Sequence, residues 1–213
     1  MTAAAPRSDT VRPRSIRLAC WFMLGIALTG LIHVVASVLE LRRLDANEEA
    51  LAKLAVRPEF SGVVAAAQGL RIAAIGALIV GAVAALLAPV TWALLRSAVR
   101  WARRAVLTLH FVLLGGVILL LAPDSTTGIK PYRDPMGSAA NEDVAASLLA
   151  VPGYLAVHYA AEVVLLVLAA AVLVLSFRES TTEFLRSRWS DGDAQVWDMS
   201  PSLAKLRGER TAR

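Results

Sequence analysis

Four long runs of apolar residues, parted by shorter polar stretches, organise this chain: Arg17 to Leu41, Ile72 to Leu95, Arg104 to Ala122 and Gly153 to Phe177. Each is close to the roughly 20 mostly apolar residues that cross a bilayer at about 1.5 Å of helical rise per residue. The runs are continuous rather than alternating, so helices that satisfy their own backbones are expected and a transmembrane barrel is not. The pattern predicts an all-α polytopic membrane protein, with four transmembrane helices over about 17–41, 72–95, 104–122 and 153–177 in an up-and-down bundle. Residues 1–16 are too poor in apolar side chains to fold alone and are expected to form a disordered cytoplasmic N-terminus. The first run reads as a retained anchor. It is too long for a signal core, and its exit through Glu40, Arg42 and Arg43 lacks a small-x-small cleavage pattern.

The linkers carry patterns of their own. From Asn47, NEEALAKLAV has a capping residue, acids in its first turn, a Glu49 and Lys53 pair at i,i+4, and Leu51 and Leu54 on one side. It ends before Pro58, which predicts a short amphipathic helix. Phe60 to Leu70 is apolar enough to extend the second span outward or to lie at the interface. In the third loop, a turn-rich stretch from Asp124 to Gly137 leads into a predicted helix from Asn141 to Val151, broken by Pro152 and Gly153. These two short helices fall on one side of the membrane, where they either pack together as a small lid or lie solvated. Spans two and three are joined by the short stretch Arg96 to Arg103, which makes them antiparallel neighbours. Trp92 and Trp101 flank that turn and, with Trp21, suit a belt at the headgroup level. Residues 178–213 are expected to be a cytoplasmic tail. There, Arg178, Arg186 and Arg188 attract anionic lipid, and Trp189, Val196, Trp197, Met199, Leu203 and Leu206 are spaced as docking anchors or headgroup contacts.

Composition agrees: 57% of the 213 residues are hydrophobic, above the roughly 45–50% of soluble domains. Charge adds an orientation. The side holding the N-terminus, the second loop and the tail carries 15 basic residues against seven on the other, so the positive-inside rule places both termini in the cytoplasm. The formal net charge of +5 is then an asymmetry, about +8 inside and about −2 outside, with Glu162 between. It is not a nucleic-acid footprint, which would need a soluble basic module. Cys20, the single cysteine, excludes an internal disulfide framework, a paired-cysteine relay and a four-cysteine metal site.

Candidate chemistry lies where lipid penalises it. All three histidines, His33, His110 and His158, fall within predicted spans, and Glu162 is the one carboxylate well inside one. His158 and Glu162 are four apart and share a helix face. At helical rise, Glu162 is about 13 Å and His33 about 12 Å from the outer ends of their spans, so both lie at one depth. The first and last helices of an up-and-down bundle are neighbours, which makes His33, His158 and Glu162 a candidate intramembrane polar site. Imidazole and carboxylate ligands suit zinc, copper or iron, and two facing histidines suit a haem. No cofactor is assigned on this basis, because further ligands are missing and an interhelical hydrogen bond is the first reading of such groups, ahead of a proton or cation pathway. His110 lies nearer the inner end and is a secondary candidate. In the second span Gly69, Ala73, Ala77, Gly81 and Ala85, followed by Pro89, recur every four residues, a small-residue face for a neighbouring helix or a second copy.

No P-loop, GxSxG elbow, HExxH or cysteine pair is present, and no soluble portion is long enough to bury an enzyme core. The excess of arginine over lysine, 19 to three, with abundant Ala and Val, looks like a high-GC bacterial genome. The segment PRSIRLACWFMLGIALTGL, Pro13 to Leu31, resembles the opening of small uncharacterised actinobacterial four-span integral membrane proteins. That resemblance implies a multi-pass protein of the bacterial plasma membrane and brings no activity. Four-span quinone-linked thiol oxidases share the outline but need paired cysteines, and small multidrug exporters place their glutamate in the first span. The first functional expectation is an accessory or interaction subunit of a cell-envelope membrane complex. It would bind a protein partner or itself through the second span and the tail. The alternative is a small proton-coupled transporter or haem- or metal-binding protein using His33, His158 and Glu162.

Overall fold

The computed structural model describes residues 13–97, 101–127 and 132–185. Its elements are α1 (Arg14–Ala46), α2 (Glu48–Ala55), a 3-10 turn (Pro58–Phe60), α3 (Ser61–Ser97), α4 (Ala102–Thr127), α5 (Ala139–Leu148) and α6 (Tyr154–Phe177). Among the described residues all regular structure is helical, and four helices are long and apolar enough to cross a membrane: Arg14–Ala46, Pro58–Ser97, Ala102–Leu121 and Tyr154–Phe177. The expected boundaries move outward. Residues 14–16, expected in the N-terminal tail, are the first turn of α1, and Ser61 to Leu70 continues the second span as one helix through Pro89, with Phe60 ending the 3-10 turn before it. At 33 and 37 residues, α1 and α3 are about 50 and 55 Å long, well beyond a hydrocarbon core of about 30 Å.

The extra length of α1 and α3 has apolar work to do. Beyond their membrane-length portions, Leu44, Val63, Ala67 and Leu70 bury themselves with Ala145, Leu149 and Tyr154 in a separate cluster, on the side expected to be outer. The third loop is therefore held on the bundle. Ser138 caps α5 by accepting from the Asn141 N–H, and the Arg43 guanidinium and the Asn47 amide donate to the carbonyls of Ser147 and Leu148. Asn47 makes no side-chain cap on α2, contrary to expectation: with φ of −100° and ψ of 7° its backbone lacks the extended conformation a cap takes, and its side chain turns instead to Leu148. The helix it precedes buries no residue, and its Glu49 to Lys53 pair, 2.8 Å apart, is solvent-exposed and worth well under about 1 kcal/mol.

Asp134 anchors the same loop by accepting from the Asn141 side-chain amide at 2.5 Å and the Met136 N–H at 2.7 Å. Those bonds, the Asn141 amide first, hold its carboxyl below the usual carboxylate range. A carboxylate lowered by folding stabilises the fold above its unfolded pKa, and the contribution is lost as pH falls through the folded value. Hydrogen exchange in α5, corrected for intrinsic rate, should be flat from about pH 7 to 5 and accelerate below about pH 4. Asp134→Asn should remove that acid limb; if the variant keeps it, another group is responsible.

Around the four long helices, α1 packs most extensively on α3 and α6, and α4 on α6 and α3. The buried positions of α1 (Ile16, Ala19, Met23, Ile26, Gly30, His33, Ser37, Glu40, Leu44) step by alternating threes and fours. Those of α3, from Val63 through Ala77 and Gly81 to Leu95, do the same, giving the 3.5-residue seam of left-handed helix packing. Large apolar side chains on the other faces, such as Leu28, Ile72, Leu86 and Leu119, are exposed, as they would be toward lipid. Along α1 the seam changes character: Ile16 to Ile26 join the main apolar core, Leu44 joins the outer cluster, and between them lie only Gly30, His33, Ser37 and Glu40. A polar layer thus separates two apolar clusters.

The chain after α6 also belongs to the bundle. Residues 179–185 are helical, and Phe184 and Leu185 pack into the main core against the Ile16 end of α1. The Thr181 hydroxyl donates to Ser15 Oγ at 2.9 Å. The start of the expected tail is therefore anchored. Trp189 to Leu206 and residues 1–12 lie outside the described residues.

Candidate functional site

Gly153, with φ of +77°, breaks the chain before α6 and sends Tyr154 into its first turn. The buried face of α6 then carries Tyr154, His158, Ala161, Glu162 and Leu165, so both candidate residues point into protein rather than lipid. On α1, the nearby Gly30 lets the helix close on Gly81 of α3: a Cβ built on Gly81 would sit 3.2 Å from His33 Cβ. That close approach packs His33 in the layer facing α6.

The three residues meet. His33 Nε2 and His158 Nδ1 are hydrogen-bonded at 2.7 Å, and His158 Nε2 is 3.1 Å from Glu162 Oε1. They are 0%, 2% and 0% exposed. The imidazoles are tilted, with centroids 4.8 Å apart, and the Tyr154 ring stacks on His158 at 5.3 Å, fixing its plane from the other side. His158 is therefore the middle member. If its Nε2–H faces the carboxylate, its Nδ1 accepts from His33 Nε2–H, and one tautomer satisfies both contacts.

Glu40 belongs to the same layer, although sequence reasoning read it as part of the polar exit from the first span. It is 0% exposed, and its Oε2 accepts from the Val151 N–H at 2.8 Å. His33, Ser37 and Glu40 follow at i, i+4 and i+7, about 10 Å along α1. That heptad spacing from His33 was the available signal. Neither Ser37 Oγ nor Glu40 Oε1 has a hydrogen-bond partner among the described residues.

His110 is elsewhere. It is buried on α4, bonded through Nδ1 to the Val106 carbonyl at 2.7 Å, and is not in the cluster. Of the small-residue row, Ala77 and Gly81 are buried, Ala73 and Ala85 are half-buried, and Gly69 is exposed. The reason is angular: four residues turn a helix by about 400°, so a strict i+4 row drifts about 40° per step off any one face. The buried seam alternates threes and fours instead.

The three ligand atoms of His33, His158 and Glu162 lie within 4.8 Å of one another. Tetrahedral zinc at about 2.0–2.1 Å separates its ligand atoms by about 3.3 Å, so the 2.7 Å histidine contact has to open to admit one. As it stands the contact leaves no room for a macrocycle between the two nitrogens. Compared with protein-family models, curated proteins and solved structures, the chain matches none. The functional reading therefore rests on this geometry.

Proposed function

We propose that the chain is a small proton-coupled protein of the bacterial plasma membrane, an up-and-down bundle with both termini cytoplasmic, whose His33, His158 and Glu162 form its proton-exchanging centre. The observation that carries this is the pair of contacts made by His158, 2.7 Å to His33 and 3.1 Å to Glu162, in a site no more than 2% exposed. Two imidazoles and a carboxylate in sequence can accept a proton at one end and release one at the other without exposing a bare charge to lipid. Ser37 and Glu40 extend the polar layer toward the outer surface. The resemblance to actinobacterial four-span proteins and the 15-to-seven basic asymmetry support the location and orientation.

Reconstitution into liposomes containing a pH-sensitive dye tests this. The wild-type protein should dissipate an imposed pH gradient faster than empty vesicles, and Glu162→Gln should slow that flux by about 100-fold, the lower end of what a positioned proton-transfer group contributes. A wild-type rate equal to that of empty vesicles sinks the proposal. The accessory-subunit reading then takes its place, to be judged by a stoichiometric partner in mild-detergent purification that is lost on deleting Trp189 to Arg213. A divalent metal at the same three residues is the second reading, favoured by their ligand atoms converging within 4.8 Å; metal analysis of the purified protein and of His158→Ala decides it.

A further inference from the structure

At the end of the bundle away from the outer cluster, the start of α1 and the end of α3 enclose a groove of about 310 Å³, lined by Arg17, Cys20, Trp21, Leu24, Trp92 and Arg96 among others. The two helices run in opposite directions, since Ile16 and Leu95 share one core while Leu44 and Val63 share the other. On α1 an arginine precedes a tryptophan by four residues, Arg17 then Trp21. On α3 the order is reversed, Trp92 then Arg96. Antiparallel packing turns those opposite orders into matching levels. Both guanidinium-bearing residues sit toward the helix ends and both indole-bearing residues one turn deeper, about 6 Å at helical rise.

The chemistry of the levels differs as the depths of a membrane surface do. Arg96 lies over the Trp92 ring, 5.1 Å from its centroid, and neither Arg17 nor Arg96 is ion-paired among the described residues. Guanidinium forks match phosphodiester oxygens. Indoles favour the depth where headgroup meets hydrocarbon. Below them Leu24 is 41% exposed, offering an apolar strip that continues along α1. A soluble anion would use only the mouth of such a groove; a lipid uses all of it.

We infer that this groove binds one acidic phospholipid, its phosphodiester between Arg17 and Arg96, its glycerol region against Trp21 and Trp92, and an acyl chain along Leu24. The test is independent of proton flux. Full-length protein is placed in nanodiscs of phosphatidylcholine and phosphatidylglycerol mixed about four to one, and the lipid retained on release is identified by native mass spectrometry. The wild type should keep one phosphatidylglycerol per chain in preference to the more abundant phosphatidylcholine. Arg17→Gln with Arg96→Gln should lower that retention by about tenfold, as expected for losing two charge-assisted contacts. Arg104→Gln, at the same end but on α4, should leave it unchanged. Retention of the two lipids in proportion to their supply by the wild type overturns the proposal, whether or not the double variant folds. So does displacement of the lipid by inorganic phosphate at low millimolar concentration, which would mark a free-anion site. Equal loss in Arg104→Gln would mark a diffuse surface charge and overturn it too.

Discussion

Gly81→Leu should be among the most damaging single substitutions in the chain, lowering the melting midpoint in detergent by about 2–12 °C, while Gly69→Ala should leave it unchanged or raise it slightly. A Cβ built on Gly30 would lie 2.7 Å from the Gly81 carbonyl oxygen and 2.9 Å from the Ala85 nitrogen, and one on Gly81 2.8 Å from the Gly30 oxygen. Those neighbours are backbone and cannot rotate aside, so α1 and α3 must separate. Overpacking typically costs about 1–3 kcal/mol, and for a domain of this size each kcal/mol shifts the midpoint by about 2–4 °C. Gly69 has nothing within 4 Å of its built Cβ, so alanine there only improves helix propensity, by about 0.5–1 kcal/mol. Thermal unfolding followed by circular dichroism separates the cases. Equal responses at Gly69 and Gly81 would mean that the i+4 row, not the alternating seam, is the packing face. Separation at Gly81 should also slow proton flux, because His33 packs against that glycine.

How far the sequence foretold this molecule depends on which physical signal carried each feature. The four long helices were legible because lipid as a solvent demands length and apolarity, and both can be read residue by residue. The meeting of His33, His158 and Glu162 was legible for a related reason. Ionisable groups stand out against apolar background, and the i,i+4 spacing of His158 and Glu162 is a property of one helix. Helix ends were less legible. Sequence stopped the first span at Leu41 because Glu40, Arg42 and Arg43 look like an exit, whereas the helix runs on to Ala46 with Glu40 turned inward onto the Val151 N–H. That partner is 111 residues away and has no local trace. The Asn47 side chain was read as a cap for the same reason, a local rule overruled by a distant carbonyl. Phe184 and Leu185 were absorbed into a polar tail because two apolar residues make no periodic signal; only the core they enter reveals them.

In the polar layer, single and combined apolar substitutions should be strongly non-additive. His158→Leu should be the worst of the three, because it removes a contact from both His33 and Glu162, which are each 0% exposed. Depriving a buried hydrogen-bonding group of a partner costs about 1–3 kcal/mol, and more where the group is charged. Glu162→Leu should cost less, since the 2.7 Å bond between the two histidines survives it. The triple replacement His33→Leu, His158→Leu and Glu162→Leu should recover most of the loss seen in His158→Leu, because well-packed apolar groups replace buried polar networks at little net cost. Chemical unfolding of all variants in one detergent supplies the comparison, and summation of the single effects in the triple variant would show three independent contacts in place of a string. Two opposing magnitudes make the measurement informative. Interhelical hydrogen bonds within membranes average only about 0.6 kcal/mol, so a penalty near that figure for His158→Leu would mark a layer whose groups find other partners. A penalty several times larger, recovered in a triple variant that no longer carries protons, would separate the two roles: the layer would be dispensable for holding the helices together and required for what passes between them.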